Sequence, residues 1–170
     1  MAGSLFEPVI EALEQAGIRY VVVGGLAVVL HGYARLTADV DIAVDLAPDQ
    51  AALTMETLSA IGLRPRAPVR ADDFADPEAR SRWRAEKAMQ VLSLWDPEHP
   101  MRAVDLFVEN PVDFDDLWDR SETVQLETTR IRIASIPDLI DMKEQAGRPQ
   151  DVEDIAALRE ILLTKERDGG

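Results

Sequence analysis

Two short stretches of the chain carry residue types that can do chemistry together. Gly24-Gly25 closes the β-branched run Arg19–Val23, and thirteen residues later (Leu26–Ala38) the chain reads Asp39-Val40-Asp41. Paired glycines at a strand-to-helix turn let a backbone approach a ligand closely and leave free N–H groups at a helix N-terminus, which suits phosphate. Asp39–Val44 alternates with the period of a strand. Such a strand projects Asp39 and Asp41 from one face, with Cα atoms roughly 6.5–7 Å apart. Two carboxylates so placed can bracket a pair of Mg²⁺ ions, which lie about 3.5–4 Å apart in two-metal sites. Mg²⁺ takes hard oxygen ligands and keeps some of its water.

A third acid, Asp105, interrupts Ala103-Val104-Asp105-Leu106-Phe107-Val108, a run otherwise built for burial. A charge inside such a strand is costly unless it is paired or metal-bound. Alone, Asp105 reads as a solvent-facing residue of an edge strand. If its strand lies beside Asp39–Val44, it completes a three-carboxylate site. Lys143 stands out for another reason: the chain uses fifteen arginines and three lysines. A compact ammonium is a point charge for a triphosphate, whereas a planar guanidinium fits differently. A lysine that favours a helix C-terminus is the competing reading.

The elements that must position these residues read as follows. Phe6, Val9, Ile10 and Leu13 recur at helical spacing before Gly17, and Leu26–His31 makes a short helix before Gly32. Pro48 opens a helix to Ile61, residues 64–78 read as the least ordered stretch, and Asp76–Lys87 as a short helix. Met89–Trp95 and Arg102–Val108 form one hairpin, and Val124–Glu127 and Arg130–Ala134 a second, with Phe114–Arg120 helical between them. Ser135 with Pro137 and Asp138 starts a helix. The break Gly147-Arg148-Pro149 precedes a last helix to about Leu163, leaving residues 165–170 as a disordered tail. The expected fold is α+β, one domain over residues 1–164, with a small mixed or antiparallel sheet flanked by helices and a helical C-terminus.

Val23-Gly24-Gly25-Leu26-Ala27, followed by His31-Gly32-Tyr33-Ala34-Arg35-Leu36-Thr37-Ala38-Asp39-Val40-Asp41, resembles the opening motif of the DNA polymerase β-type nucleotidyltransferase superfamily. Within it the chain is most similar to the bacterial minimal nucleotidyltransferases that include abortive-infection type toxins. The stretch Asp141–Ile155, with Lys143, Arg148, Asp151 and Asp154, resembles that branch's closing motif. The resemblance implies Mg²⁺-dependent transfer of a nucleoside monophosphate from a nucleoside triphosphate such as ATP to a hydroxyl. It implies that Asp39 and Asp41 bind both metals and Asp105 the metal that activates the attacking hydroxyl. Gly24 and Gly25 would cradle the β- and γ-phosphates, with Arg35, Thr37, Lys143 and Asp151 completing the nucleotide site. Many relatives carry Gly-Ser where this chain has Gly24-Gly25, and Thr37 and Arg35 are the residues that can make good the missing hydroxyl.

Composition narrows the partners. With 18 basic against 32 acidic residues the chain carries −14, which opposes binding to duplex DNA through phosphate contacts. Arg64–Lys87 alone is basic, seven residues against five acidic, so the remainder carries −16. That island, with Arg80, Arg82, Arg84 and Lys87 on one helix, reads as a solvated face or as a dock for a polyanion. No cysteine means no disulfide framework and no thiolate metal site. His31 reads as a packed residue that fixes the turn at Gly32, His99 carries no assignment, and Trp83, Trp95 and Trp118 read as core or edge hydrophobes. The longest apolar runs are too short to span a bilayer, and the acidic start lacks a signal peptide's charge, so a cytoplasmic protein is expected.

Three functions remain open. The leading one is a nucleotidyltransferase acting on an RNA 3′ end, tRNA foremost, docked on Arg64–Lys87, as the toxin of a toxin–antitoxin pair with an antitoxin protein as partner. The second is a catalytically silent module of the same fold. The third is an enzyme that modifies a small cationic acceptor such as an aminoglycoside, which an acidic surface would attract.

Overall fold

The computed structural model describes residues 5–37 and 39–169. Seven strands form one mixed sheet: β1 (Tyr20–Val23), β2 (Val40–Val44), β3 (Arg64–Pro65), β4 (Val91–Asp96), β5 (His99–Phe107), β6 (Glu122–Gln125) and β7 (Arg130–Ile133), in the order β3-β4-β5-β2-β1-β7-β6. Its centre is mixed because β2 runs antiparallel to β1 but parallel to β5, and β1 runs parallel to β7. Around it lie α1 (Glu7–Gln15), α2 (Gly24–Leu30), α3 (Pro48–Ala60), α4 (Pro77–Lys87), α5 (Phe114–Arg120), α6 (Ile136–Ala146) and α7 (Pro149–Gly169). The α+β expectation holds.

One face of β4, β5 and β2 is core: Leu92, Leu94, Val104, Leu106, Val40 and Ile42 are buried there. The other face, one residue out of phase, is only partly covered and carries the polar residues. Strand periodicity separates the two sets, because successive side chains point to opposite faces. β1 is buried throughout, as a central strand covered on both sides must be.

Several elements differ from the sequence reading. The first hairpin is tighter than Met89–Trp95 and Arg102–Val108 imply. Its strands run on to Asp96 and from His99, because the Asp96 carboxylate accepts from the Glu98 N–H at 2.9 Å and closes the turn. Residues 64–78 are not loose. β3 pairs with β4, a 3₁₀ turn covers Ala71–Ala75, and Phe74 is fully buried. The last helix continues through Gly169, past the start of the expected tail, with Ile161 and Leu162 packed against the core and Lys165 Nζ 3.4 Å from His31 Nδ1. Only Gly170 of that tail lies outside the described residues. No described helix is long and apolar enough to cross a membrane.

Candidate active site

The parallel register of β2 and β5 sets Asp41 directly opposite Asp105. On the far side of Asp105, the antiparallel register of β4 places Ser93, whose Oγ donates to Asp105 Oδ1 at 2.7 Å. On the other side of Asp41 stands Val23, the last residue of β1, immediately before Gly24. One row across four strand positions therefore reads Ser93, Asp105, Asp41, Val23. The condition placed on Asp105 is fulfilled, since its strand does lie beside β2. Asp39 is placed differently from the sequence reading: β2 begins at Val40, so Asp39 sits exposed on the bend before the strand. Its neighbour Ala38 lies outside the described residues.

These carboxylates strain against one another. Burial, then the charges of Asp105 and Asp39, push the Asp41 carboxyl up to about 7, against the pull of Arg148 and Lys143. Burial also raises Asp105, with Asp39 adding to it, while the Ser93 hydroxyl and the Arg66 charge act the other way. Two half-buried carboxylates side by side, raised by burial and by neighbouring carboxylate charge, form a pair whose repulsion a divalent metal would relieve. Among the described residues no three acidic or histidine side chains are gathered into a closed metal cluster.

Gly24 is required where it stands. Its φ is +67°, and a Cβ there would lie 2.1 Å from Asp41 Oδ2. A Cβ at Gly25 would lie 2.8 Å from Thr37 Oγ1 and 3.7 Å from the Arg35 guanidinium carbon. The space beside Gly25 is thus filled by the threonine hydroxyl. Gly24→Ala is expected to cost several kcal/mol in unfolding experiments, about 1–2 for the left-handed backbone and about 1–3 more for displacing Asp41. Gly17→Ala is the control, because Gly17 has φ +68° and nothing within 4 Å of its Cβ position. Equal losses in the two variants would show that the Asp41 contact is not what Gly24 accommodates.

Behind the carboxylates lies a buried ion network built by the α6–α7 turn. Lys143 Nζ donates to Asp154 Oδ2 at 2.8 Å and to Asp151 Oδ1 at 3.3 Å. Arg148 grips Asp151 through its Nε at 3.0 Å and its Nη2 at 3.2 Å, and Arg35 pairs with Asp154. Lys143, Asp151 and Asp154 are 6%, 1% and 3% exposed. Burial pushes the Asp151 carboxyl up, but the Arg148 hydrogen bond and the Lys143 and Arg148 charges outweigh it and leave it below its ordinary value. Three cations face two carboxylates, and the excess charge is directed at Asp41, on which both Lys143 and Arg148 act. Asp151 also accepts the Arg148 N–H at 3.2 Å, so it serves as the first-turn acid of α7 as well.

Other sequence candidates lie elsewhere. His31 is buried. Its Nε2 donates to the Ala134 carbonyl at 2.8 Å and its Nδ1 accepts from Lys165, as the packed reading requires. Arg80, expected on an outward helix face, is turned inward, 7% exposed, donating to the Phe74 and Leu46 carbonyls. It caps the backbone that Phe74 buries. Arg84 is outward but paired with Glu109. Two residues that the sequence reading did not single out join the site: Ser93 and, one strand further, Arg66. The polar residue on the exposed phase of β4 was the available signal for Ser93. Beside Asp39 an apolar cleft of about 270 Å³, lined by Phe6, Leu26, Val29, Met101, Arg35 and Thr37 among others, has room for a ring.

Solved structures share this architecture. A lincosamide antibiotic adenylyltransferase, LnuA, bound to lincomycin is 16% identical, with TM-score 0.61, covering 93% of this chain and 96% of its own. ANT(2")-Ia in complex with adenylyl-2"-tobramycin is 11% identical, with TM-score 0.61, over 95% of this chain and 84% of its own. An antigenic nucleotidyltransferase-like protein from Paracoccidioides brasiliensis is 16% identical, with TM-score 0.57, over 91% and 73%. No curated protein matches the sequence. The model of one protein family does match, over residues 5–164, which include every strand and all candidate residues above. The chain therefore belongs to the family described as Nucleotidyltransferase of unknown function (DUF6036).

Proposed function

We propose that this nucleotidyltransferase moves a nucleoside monophosphate from an Mg²⁺-bound nucleoside triphosphate, such as ATP, to a hydroxyl on an RNA 3′ end. The observation that supports it most is the side-by-side placement of Asp41 and Asp105 against the Gly24 turn. Asp39, Asp41 and Asp105 would hold two Mg²⁺ ions, which supply the charge stabilisation that phosphoryl-type transfer needs. Gly24, Gly25 and Thr37 offer the triphosphate close backbone approach and a hydroxyl. Lys143, Arg148 and Arg35 supply positive charge beside it, and Asp151 and Asp154 hold those cations in place. The RNA acceptor, tRNA foremost, and a role as a cytoplasmic toxin neutralised by an antitoxin protein rest on the resemblance of the opening and closing motifs.

A small antibiotic acceptor is the second reading. Two structural neighbours favour it, a lincosamide adenylyltransferase and a protein in complex with adenylyl-2"-tobramycin. The net charge of −14 would attract a cationic sugar. Incubation with each of the four labelled triphosphates, Mg²⁺ and in turn total RNA, lincomycin or tobramycin separates the two: the labelled product names the acceptor. A triphosphate with Mg²⁺ should also raise the unfolding free energy by about 2.7 kcal/mol at 100 times its dissociation constant, and by little without Mg²⁺. No thermal shift with any of the four at millimolar concentration would reduce the protein to a silent module of this fold.

A further inference from the structure

The row of residues across the sheet has two ends, the Gly24-Gly25 turn beside Asp41 and the β3 side beyond Ser93. In an in-line displacement the attacking and leaving oxygens lie on opposite sides of phosphorus. On the reading above, the pyrophosphate end belongs with the Gly24-Gly25 turn, on the β1 side of Asp41. The acceptor hydroxyl must then enter from the opposite end, past Asp105 and Ser93.

What stands at that end is Arg66. Its backbone N–H donates to the Ser93 carbonyl at 2.9 Å and so continues the pairing of β3 with β4 beyond Pro65. Its side chain is exposed, and its guanidinium lies 5.2 Å from the centroid of the Trp95 ring. Trp95 lies two residues after Ser93 in β4 and so projects from the same face. Among the described residues no carboxylate lies within 4 Å of the Arg66 guanidinium; Arg132, over the Trp118 ring, is likewise without one, and what sets Arg66 apart is its place beside Ser93 at the end of the row. The Arg66 charge still reaches Asp105. In a chain of net charge −14, an unpaired arginine stacked on an indole beside a candidate catalytic carboxylate calls for an anionic partner.

We infer that Arg66 and Trp95 form the acceptor subsite, and that it takes a ribose hydroxyl flanked by a phosphate, the terminal nucleotide of an RNA strand. The guanidinium grips the phosphodiester that precedes the terminal sugar, and the indole edge supports its base. Ser93 keeps the Asp105 carboxylate turned toward the incoming hydroxyl. A polycationic sugar would meet the same guanidinium as a like charge, so the subsite selects against it. This inference rests on the nucleotidyl-transfer reading, so its test separates the two.

The probe is a fluorescein-labelled RNA oligonucleotide with a free 3′ hydroxyl, read by anisotropy with a non-hydrolysable triphosphate and Mg²⁺ and, separately, by extension with labelled triphosphate. Arg66→Gln, an exposed change, should weaken oligonucleotide binding and raise its KM about tenfold, the scale of one charge-assisted hydrogen bond. It should reduce the log–log salt slope of binding by about 0.7, one phosphate contact on a single strand. Arg66→Lys should recover part of both. Replacing the last phosphodiester by an uncharged methylphosphonate should weaken wild type to the same degree and leave Arg66→Gln indifferent. The triphosphate thermal shift should be the same in wild type and Arg66→Gln. Unchanged oligonucleotide binding in Arg66→Gln, or equal sensitivity of both proteins to the methylphosphonate, overturns the subsite. So does labelling of tobramycin in preference to RNA. Loss of the triphosphate shift in wild type itself would instead overturn the underlying reading.

Discussion

Asp41→Asn should lower nucleotidyl transfer about a thousandfold or more, and yet should be the more stable protein in metal-free buffer at pH 8. Both effects come from one carboxylate. Burial and the neighbouring Asp105 and Asp39 charges raise the Asp41 carboxyl from an ordinary 3.8 to about 7. An acid raised on folding binds its proton more tightly in the native state, so stability falls as pH rises between the two values. The stabilising contribution is complete below about pH 4 and is gone above about pH 7. At 1.36 kcal/mol per pKa unit the whole span is at most about 4 kcal/mol, and about 2 after allowance for solvent at a half-buried group. Asparagine keeps the shape and never ionises. Urea titrations in EDTA should therefore show wild type and variant level near pH 4 and the variant ahead by that margin at pH 8. Mg²⁺ should reverse the order, because only wild type retains the full ligand set. A pH-independent gap, or near-normal transfer by the variant, would remove Asp41 from the metal site.

Lys143→Met should produce the largest stability loss of any single polar substitution in this chain, about 3 kcal/mol at pH 7. The methionine replaces the stem but not the charge. Asp151 and Asp154, both nearly fully buried, then each keep one arginine where they had a lysine as well. Breaking a buried ion set by removing one partner leaves uncompensated charge, which is why such losses exceed those of surface pairs. The pH dependence carries the sign. Asp151 is held below its ordinary value, burial being outweighed by Arg148 and Lys143. Its stabilising contribution is present above about pH 4 and disappears as pH falls through the lowered native value. The gap between wild type and variant should thus be widest near neutrality and close in acid. A loss below about 1 kcal/mol at pH 7 would place Lys143 among ordinary solvated lysines.

The candidate site was legible in outline because its chemistry lies in local patterns. Gly24-Gly25 after a β-branched run, two aspartates two residues apart, and one aspartate inside an apolar strand each carry their meaning within ten residues. The α6–α7 network was half legible: Lys143 was conspicuous by type, Arg148 and Asp151 by pattern. Asp154, which the sequence reading gave no role of its own, proves to be the residue that joins Lys143 to Arg35, the latter 119 positions from Asp154. Nothing local marks a contact of that length. Arg80 shows the opposite failure. Its spacing on α4 groups it with Arg82 and Arg84, but α4 buries the side that carries Trp83 and Ala79, and Arg80 goes in with them to hold the Phe74 carbonyl.

By itself, then, the sequence determined which residues are chemically unusual, where strands alternate, where helices begin and stop, and that the chain is an acidic α+β protein. Those are consequences of backbone geometry and side-chain type, which act over a few residues. Only the tertiary structure decided that β2 and β5 lie parallel with Asp41 opposite Asp105, that Thr37 fills the space beside Gly25, and that Ser93 and Arg66 extend the same row. Register between distant strands is set by which faces can be buried together. That choice depends on the whole core at once, and no window of the sequence contains it.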